Sequence, residues 1–149
     1  MVSKSASFIT ATSSDLANAM PFKPLIFDFT CCTSCPRNAI PVQIGLNQQC
    51  SDFVGFAKKV SKGLNAFQSA CFNSRKSKTV FLIFLDTNEE ASQFQSALQN
   101  MTSAELSDLF PRFEEVVSVA SLLQENGCAQ VFVCTCGIQE IVHKYPHFC

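Results

Sequence analysis

The residues most able to do chemistry are nine cysteines, and they are unevenly placed. Cys31, Cys32 and Cys35 follow one apolar run, LIFDFT, and Cys134 and Cys136 close another, AQVFVCT. Cys32-x2-Cys35 has the spacing that lets two sulfurs turn to one zinc ion, at about 2.3 Å each. Cys134-x-Cys136 is a tighter pair. If the two runs are parallel strands, both clusters emerge at the carboxyl edge of one sheet, where open α/β folds collect their sites. The expected metal set is therefore Cys32, Cys35, Cys134 and Cys136, with zinc as the ion. His143, His147 and Cys149 are alternative donors. The competing reading is that free cysteines serve as small apolar residues, and Cys71 and Cys128 fit that role alone.

Two chemistries with reactive thiols are weaker. LIFDFTCCTSC resembles thioredoxin-like proteins in placing C-x2-C after a buried strand, which implies a redox dithiol. Those proteins continue into a helix that lowers the thiol pKa, whereas Pro36 and Pro41 with Ile40 and Val42 oppose a helix here. VFVCTCG is similar to the strand-then-cysteine start of low-molecular-weight phosphatases. Their phosphate-binding arginine would stand five residues past Cys134, and Gln139 stands there instead. A cysteine hydrolase needs a histidine and an orienting acid beside its thiol, and both histidines lie in the tail. Nucleotide-binding glycine loops and zinc-protease motifs are absent from the sequence.

The elements that must position these residues read as alternating strands and helices. Leu25–Thr30 is a first strand, interrupted by Asp28, and Val42–Ile44 a short edge strand. Phe53, Phe56, Ala57, Val60, Leu64, Phe67 and Cys71 recur at helical spacing and predict one helix. Thr79–Leu85 lacks alternation, the mark of a strand covered on both faces. Asp86-Thr87-Asn88 supplies a cap for a helix whose stripe is Ala91, Phe94 and Leu98. Thr102 and Glu105 have capping-box spacing. Phe113, Val116, Val117, Ala120 and Leu123 predict a further helix ended by Asn126-Gly127. Ala129–Thr135 is the last strand. Phe81, Ile83, Phe84, Val131 and Phe132 are expected in the core, and Lys58, Lys59 and Lys62 on the surface.

The fold class expected is α/β, a small single domain with three or four strands in a parallel or mixed sheet flanked by about four helices. Residues 1–20 are expected to be a flexible N-terminal arm and residues 21–149 the single domain. At 149 residues, with 47% apolar and 15% charged residues, the chain can build a real core and general disorder is excluded. Fifteen phenylalanines against one tyrosine suit core filling.

A net charge of −1 gives no field to gather nucleic acid or an anionic membrane. The first twenty residues hold no apolar run typical of a secretory signal, and no window matches a membrane span. The expected location is cytoplasmic or nuclear, so the cysteines should be reduced thiols or metal ligands rather than a disulfide framework. These features predict a small intracellular binding or regulatory module without catalytic activity, tied by a cysteine-rich metal or thiol cluster at the sheet edge. Its expected partner is another protein, with no membrane and nucleic acid disfavoured. The alternative is a thiol-dependent enzyme, redox or Cys-nucleophile, using a sheet-edge cysteine.

Overall fold

The central feature is a parallel sheet of five strands with the order β1-β5-β4-β2-β3. The structure, a computed structural model, describes residues 9–30, 38–42, 53–61, 64–110, 112–128 and 130–149. Its strands are β1 (Ile9–Ala11), β2 (Leu25–Asp28), β3 (Ile40–Pro41), β4 (Thr79–Ile83) and β5 (Gln130–Cys134). Seven α-helices lie among the described residues: α1 (Ser13–Ala19), α2 (Phe53–Ser61), α3 (Ala66–Asn73), α4 (Asn88–Asn100), α5 (Ser103–Leu109), α6 (Phe113–Glu125) and α7 (Ile138–Lys144). The chain is thus an α/β domain, with one strand more than the upper expectation and a sheet that is parallel rather than mixed.

β4 sits at the centre because its residues are apolar on both faces. Val80, Leu82 and Phe84 join one core, with the apolar faces of α2 to α6. Phe81 and Ile83 join a second, smaller core with Leu16 of α1 and Ile138 and Ile141 of α7. Two helices cover the second face and five the first, so the layers are unequal. Phe132 shows the consequence: expected in the core, it is only half-buried, stacked on Phe81 at 5.5 Å between centroids. Phe81, Ile83, Phe84 and Val131 are buried as expected.

Local signals fix the helix ends. The Thr87 hydroxyl accepts from Glu90 N at 3.0 Å and caps α4. Thr102 and Glu105 form the reciprocal capping box of α5. Gly127, at φ 95, ends α6 in the left-handed region that glycine enters freely.

Three stretches come out in more detail than sequence alone supplies. The single helix through Phe53 and Cys71 is two, because Asn65 caps a new helix by accepting from Gln68 N at 2.7 Å. Periodicity survives such a break, so it did not reveal one. A short edge strand is formed by Ile40–Pro41, with Val42 just outside it, and the rest of the expected Val42–Ile44 strand lies outside the described residues; the missing N–H of Pro41 is tolerated at a sheet margin. Within the stretch expected to be an arm, Ile9–Ala11 pairs with β5 and Ser13–Ala19 forms a capped helix. Lys58 and Lys59 are exposed as expected, while Lys62 lies outside the described residues.

Candidate functional site at the carboxyl edge of the sheet

β2 and β4 are parallel neighbours; β2 ends at an aspartate, and another stands three residues past the end of β4. In LIFD the last residue, Asp28, is paired in register with Ile83. In VFLIFLD the strand runs on as Phe84 and Leu85 to Asp86. From β2 the chain passes outward to β3, then back across to β4 and on to β5, so the winding reverses between β2 and β4. Side chains beyond the carboxyl ends at such a reversal line the crevice where open α/β sheets bind their ligands.

Asp28 is only 3% exposed. Its Oδ1 accepts from Thr30 N at 2.8 Å and from Thr30 Oγ1 at 2.6 Å. Among the described residues nothing donates to Oδ2. Burial pushes the Asp28 carboxyl above its ordinary range; the two Thr30 hydrogen bonds oppose this, the Asp86 charge adds to it, and Arg112 opposes it. Arg112 Nη1 lies 3.4 Å from Asp86 Oδ2 and donates to Phe84 O at 3.1 Å. Its guanidinium therefore clamps the exit of β4.

The Asp86–Thr87 turn is held from behind by the start of α7. Ile138 N donates to Leu85 O and Gln139 N to Asp86 O, both at 2.9 Å. Asn88 N donates to Gln139 Oε1 at 2.8 Å. Gly137 allows this approach, since a Cβ there would stand 2.8 Å from Thr87 O. The Asp86–Thr87 turn is thus held by backbone contacts that leave it little room to shift.

The predicted metal ligands divide. Cys32 and Cys35, with Cys31, lie outside the described residues. Cys134 and Cys136 are both buried at the carboxyl end of β5, one strand away from β2 across β4. Their thiols are hydrogen-bonded to each other; that bond first, and burial second, push the Cys134 thiol well above its ordinary value. Cys71 and Cys128 are buried free thiols, as expected of apolar fillers. Cys149 is disulfide-bonded, which corrects the expectation that all the cysteines are thiols or metal ligands. His143 and His147 are exposed in the tail. Among the described residues no three His, Cys, Asp or Glu side chains gather as a metal-holding group.

Asp28, Asp86 and Arg112 are the residues sequence reasoning missed. The signal was present as two apolar runs each closely followed or interrupted by a carboxylate, but their adjacency was not. A separate open groove of about 610 Å³ runs between α4 and α5, past Ser96, Asn100 and Phe110. It carries no ionisable lining residue, so the concentration of charge at the carboxyl edge marks the better candidate.

Compared with protein-family models, with curated proteins and with solved structures, the chain matches none. No helix among the described residues is long and apolar enough to cross a membrane.

Proposed function

We propose that this chain is a binding or regulatory module without chemistry of its own, and that it receives its ligand in the crevice between the ends of β2 and β4. The observation that carries this reading is Asp28: a carboxylate 3% exposed, with one oxygen doubly hydrogen-bonded and the other accepting from none of the described residues. A buried charge is costly unless paired, and a fold that keeps one at a topological reversal point has a use for it. Occupation of this crevice would set the surface offered to a protein partner beside the Asp86–Thr87 turn.

The rival reading, a thiol-dependent enzyme, draws less support. A nucleophilic cysteine needs thiolate character and access, and Cys134 and Cys136 are buried free thiols, with the Cys134 thiol pushed well above its ordinary value by its neighbour Cys136 and by burial. The zinc expectation for Cys32, Cys35, Cys134 and Cys136 stands as a separate proposal, tested by metal analysis of the purified protein.

The test of the crevice is a thermal-shift survey of small phosphorylated and amine-bearing metabolites on wild type and Asp28→Asn. At least one compound should raise the wild-type melting temperature and leave the variant unmoved. Equal shifts in both proteins, or none in either, would remove the crevice from the function.

A further inference from the structure

We propose that the groove between α4 and α5 docks a second copy of this chain, which enters it with the exposed face of its α2. The groove lies apart from the crevice at the sheet edge and does not depend on it.

The groove is the receiving surface. Its apolar lining is Ala97, Met101, Leu109 and Phe110. Leu109 is 56% and Met101 38% exposed, so two large apolar side chains stand against water. Apolar surface rimmed by polar residues is the mark of an interaction site. Glu89 stands one turn before the lining residues Ser92 and Gln93 on the same stripe of α4, and Glu105 one turn before Leu109 on α5. Asp108 adjoins Leu109 in the chain. All three acids are exposed, and among the described residues none of them is in an ion pair. Residues 86–109 hold five acidic side chains and no Lys, Arg or His. The surface that complements this groove carries an apolar anchor with positive charge beside it.

The chain carries such a surface itself. Residues 53–78 hold six Lys and Arg and no acid, so the net charge of −1 conceals two oppositely charged stretches. In α2, Phe56 and Val60 are buried in the larger core. Val54, Lys58 and Ser61 follow at steps of four and three and form the opposite stripe, exposed to solvent. Val54 is 63% exposed, an apolar side chain for which the core of its own chain has no use. Lys58 lies one turn from it. Anchor and charge are thus spaced as the groove requires. Groove and helix face are different surfaces, so the contact is heterologous, and each added copy offers a further groove or a further α2. One groove and one short helix face make a small interface, and the association is weak and reversible.

Sedimentation velocity of the full chain over a concentration series tests this. At low ionic strength the weight-average mass should climb beyond that of one chain, and high salt should suppress the rise by screening the charges. Val54→Glu and Leu109→Glu each remove one apolar anchor and set a carboxylate against the acidic groove or within it. Both positions are exposed, so both variants should fold, as checked by circular dichroism. Each variant alone should stay monomeric. Mixed in equal amounts they should form a dimer that grows no further, because the first keeps an intact groove and the second an intact α2. Lys58→Glu should weaken self-association about tenfold at low ionic strength. A wild type that stays monomeric throughout would overturn the proposal and leave the groove to a different partner. Undiminished association of either variant alone, or a mixture no larger than its components, would overturn it equally.

Discussion

Thr30 gives both its backbone N–H and its hydroxyl to one oxygen of Asp28, at 2.8 and 2.6 Å. A single residue two positions on thus orients a carboxylate that the core has almost wholly enclosed. The bonds favour the charged form, burial disfavours it, and burial prevails. Thr30→Val keeps the shape and removes the hydroxyl donor. It should cost about 1.5–3 kcal/mol at neutral pH, the range for hydrogen bonds to charged groups, measured by urea denaturation. A double-mutant cycle with Asp28→Asn should show a coupling energy of the same sign, and purely additive losses would deny the pairing.

The raised pKa of Asp28 makes a signed prediction about pH. Its folded pKa lies above the unfolded value of about 3.9, so between the two the native state binds more protons and stability falls as pH rises. The contribution is fully present below about 3.9 and lost as pH passes the folded pKa. Asp28→Asn, which still offers an oxygen to Thr30, should therefore stabilise the protein at neutral pH by on the order of 0.5–2 kcal/mol. That gain should shrink on acidification. A gain that is flat with pH would mean the carboxyl does not titrate as placed.

Phe84 is buried in a ring cluster, edge-on to Phe94 at 5.0 Å and tilted against Phe113 at 6.0 Å. Phe84→Ala should cost about 3–5 kcal/mol through lost burial and the cavity left behind. Phe132→Ala, at a half-buried position, should cost clearly less. Equal losses would contradict the unequal cover of the two sheet faces. Lys58→Ala should stay within about ±0.5 kcal/mol.

Gly137→Ala tests how tightly the Asp86–Thr87 turn is held. The added methyl would meet Thr87 O at 2.8 Å and Asp86 O at 3.0 Å, and backbone cannot swing aside as a side chain can. A loss of about 1–3 kcal/mol is expected, with altered amide shifts at residues 86–88. A neutral substitution would show that the turn has slack.

The buried thiols should be chemically quiet. In native protein treated with iodoacetamide at neutral pH, Cys71, Cys128, Cys134 and Cys136 should remain unmodified by peptide mass spectrometry, and all should react in urea. Rapid native alkylation of Cys134 would return weight to thiol chemistry.

The sequence by itself determined the local elements. Thr79–Leu85 reads as a doubly covered strand because its apolar residues do not alternate, and Thr87, Thr102 and Asn126-Gly127 mark helix ends because capping is a contact within three or four residues. Partners distant in the chain are another matter. Ile9–Ala11 is too short to show a period, and only its ladder with β5, continued by Thr135 N donating to Ala11 O at 2.9 Å, makes it a strand. The pairing of β2 with β4 likewise has no signature in either strand, since backbone hydrogen bonds are the same whichever strand supplies them. That pairing decides the site. Two aspartates 58 positions apart, read in the sequence as a strand interruption and part of a helix cap, come to one edge when parallel strands bring their carboxyl ends together. Cysteine spacing was visible because it is local, and the carboxylate pair was not because it exists only in the folded sheet.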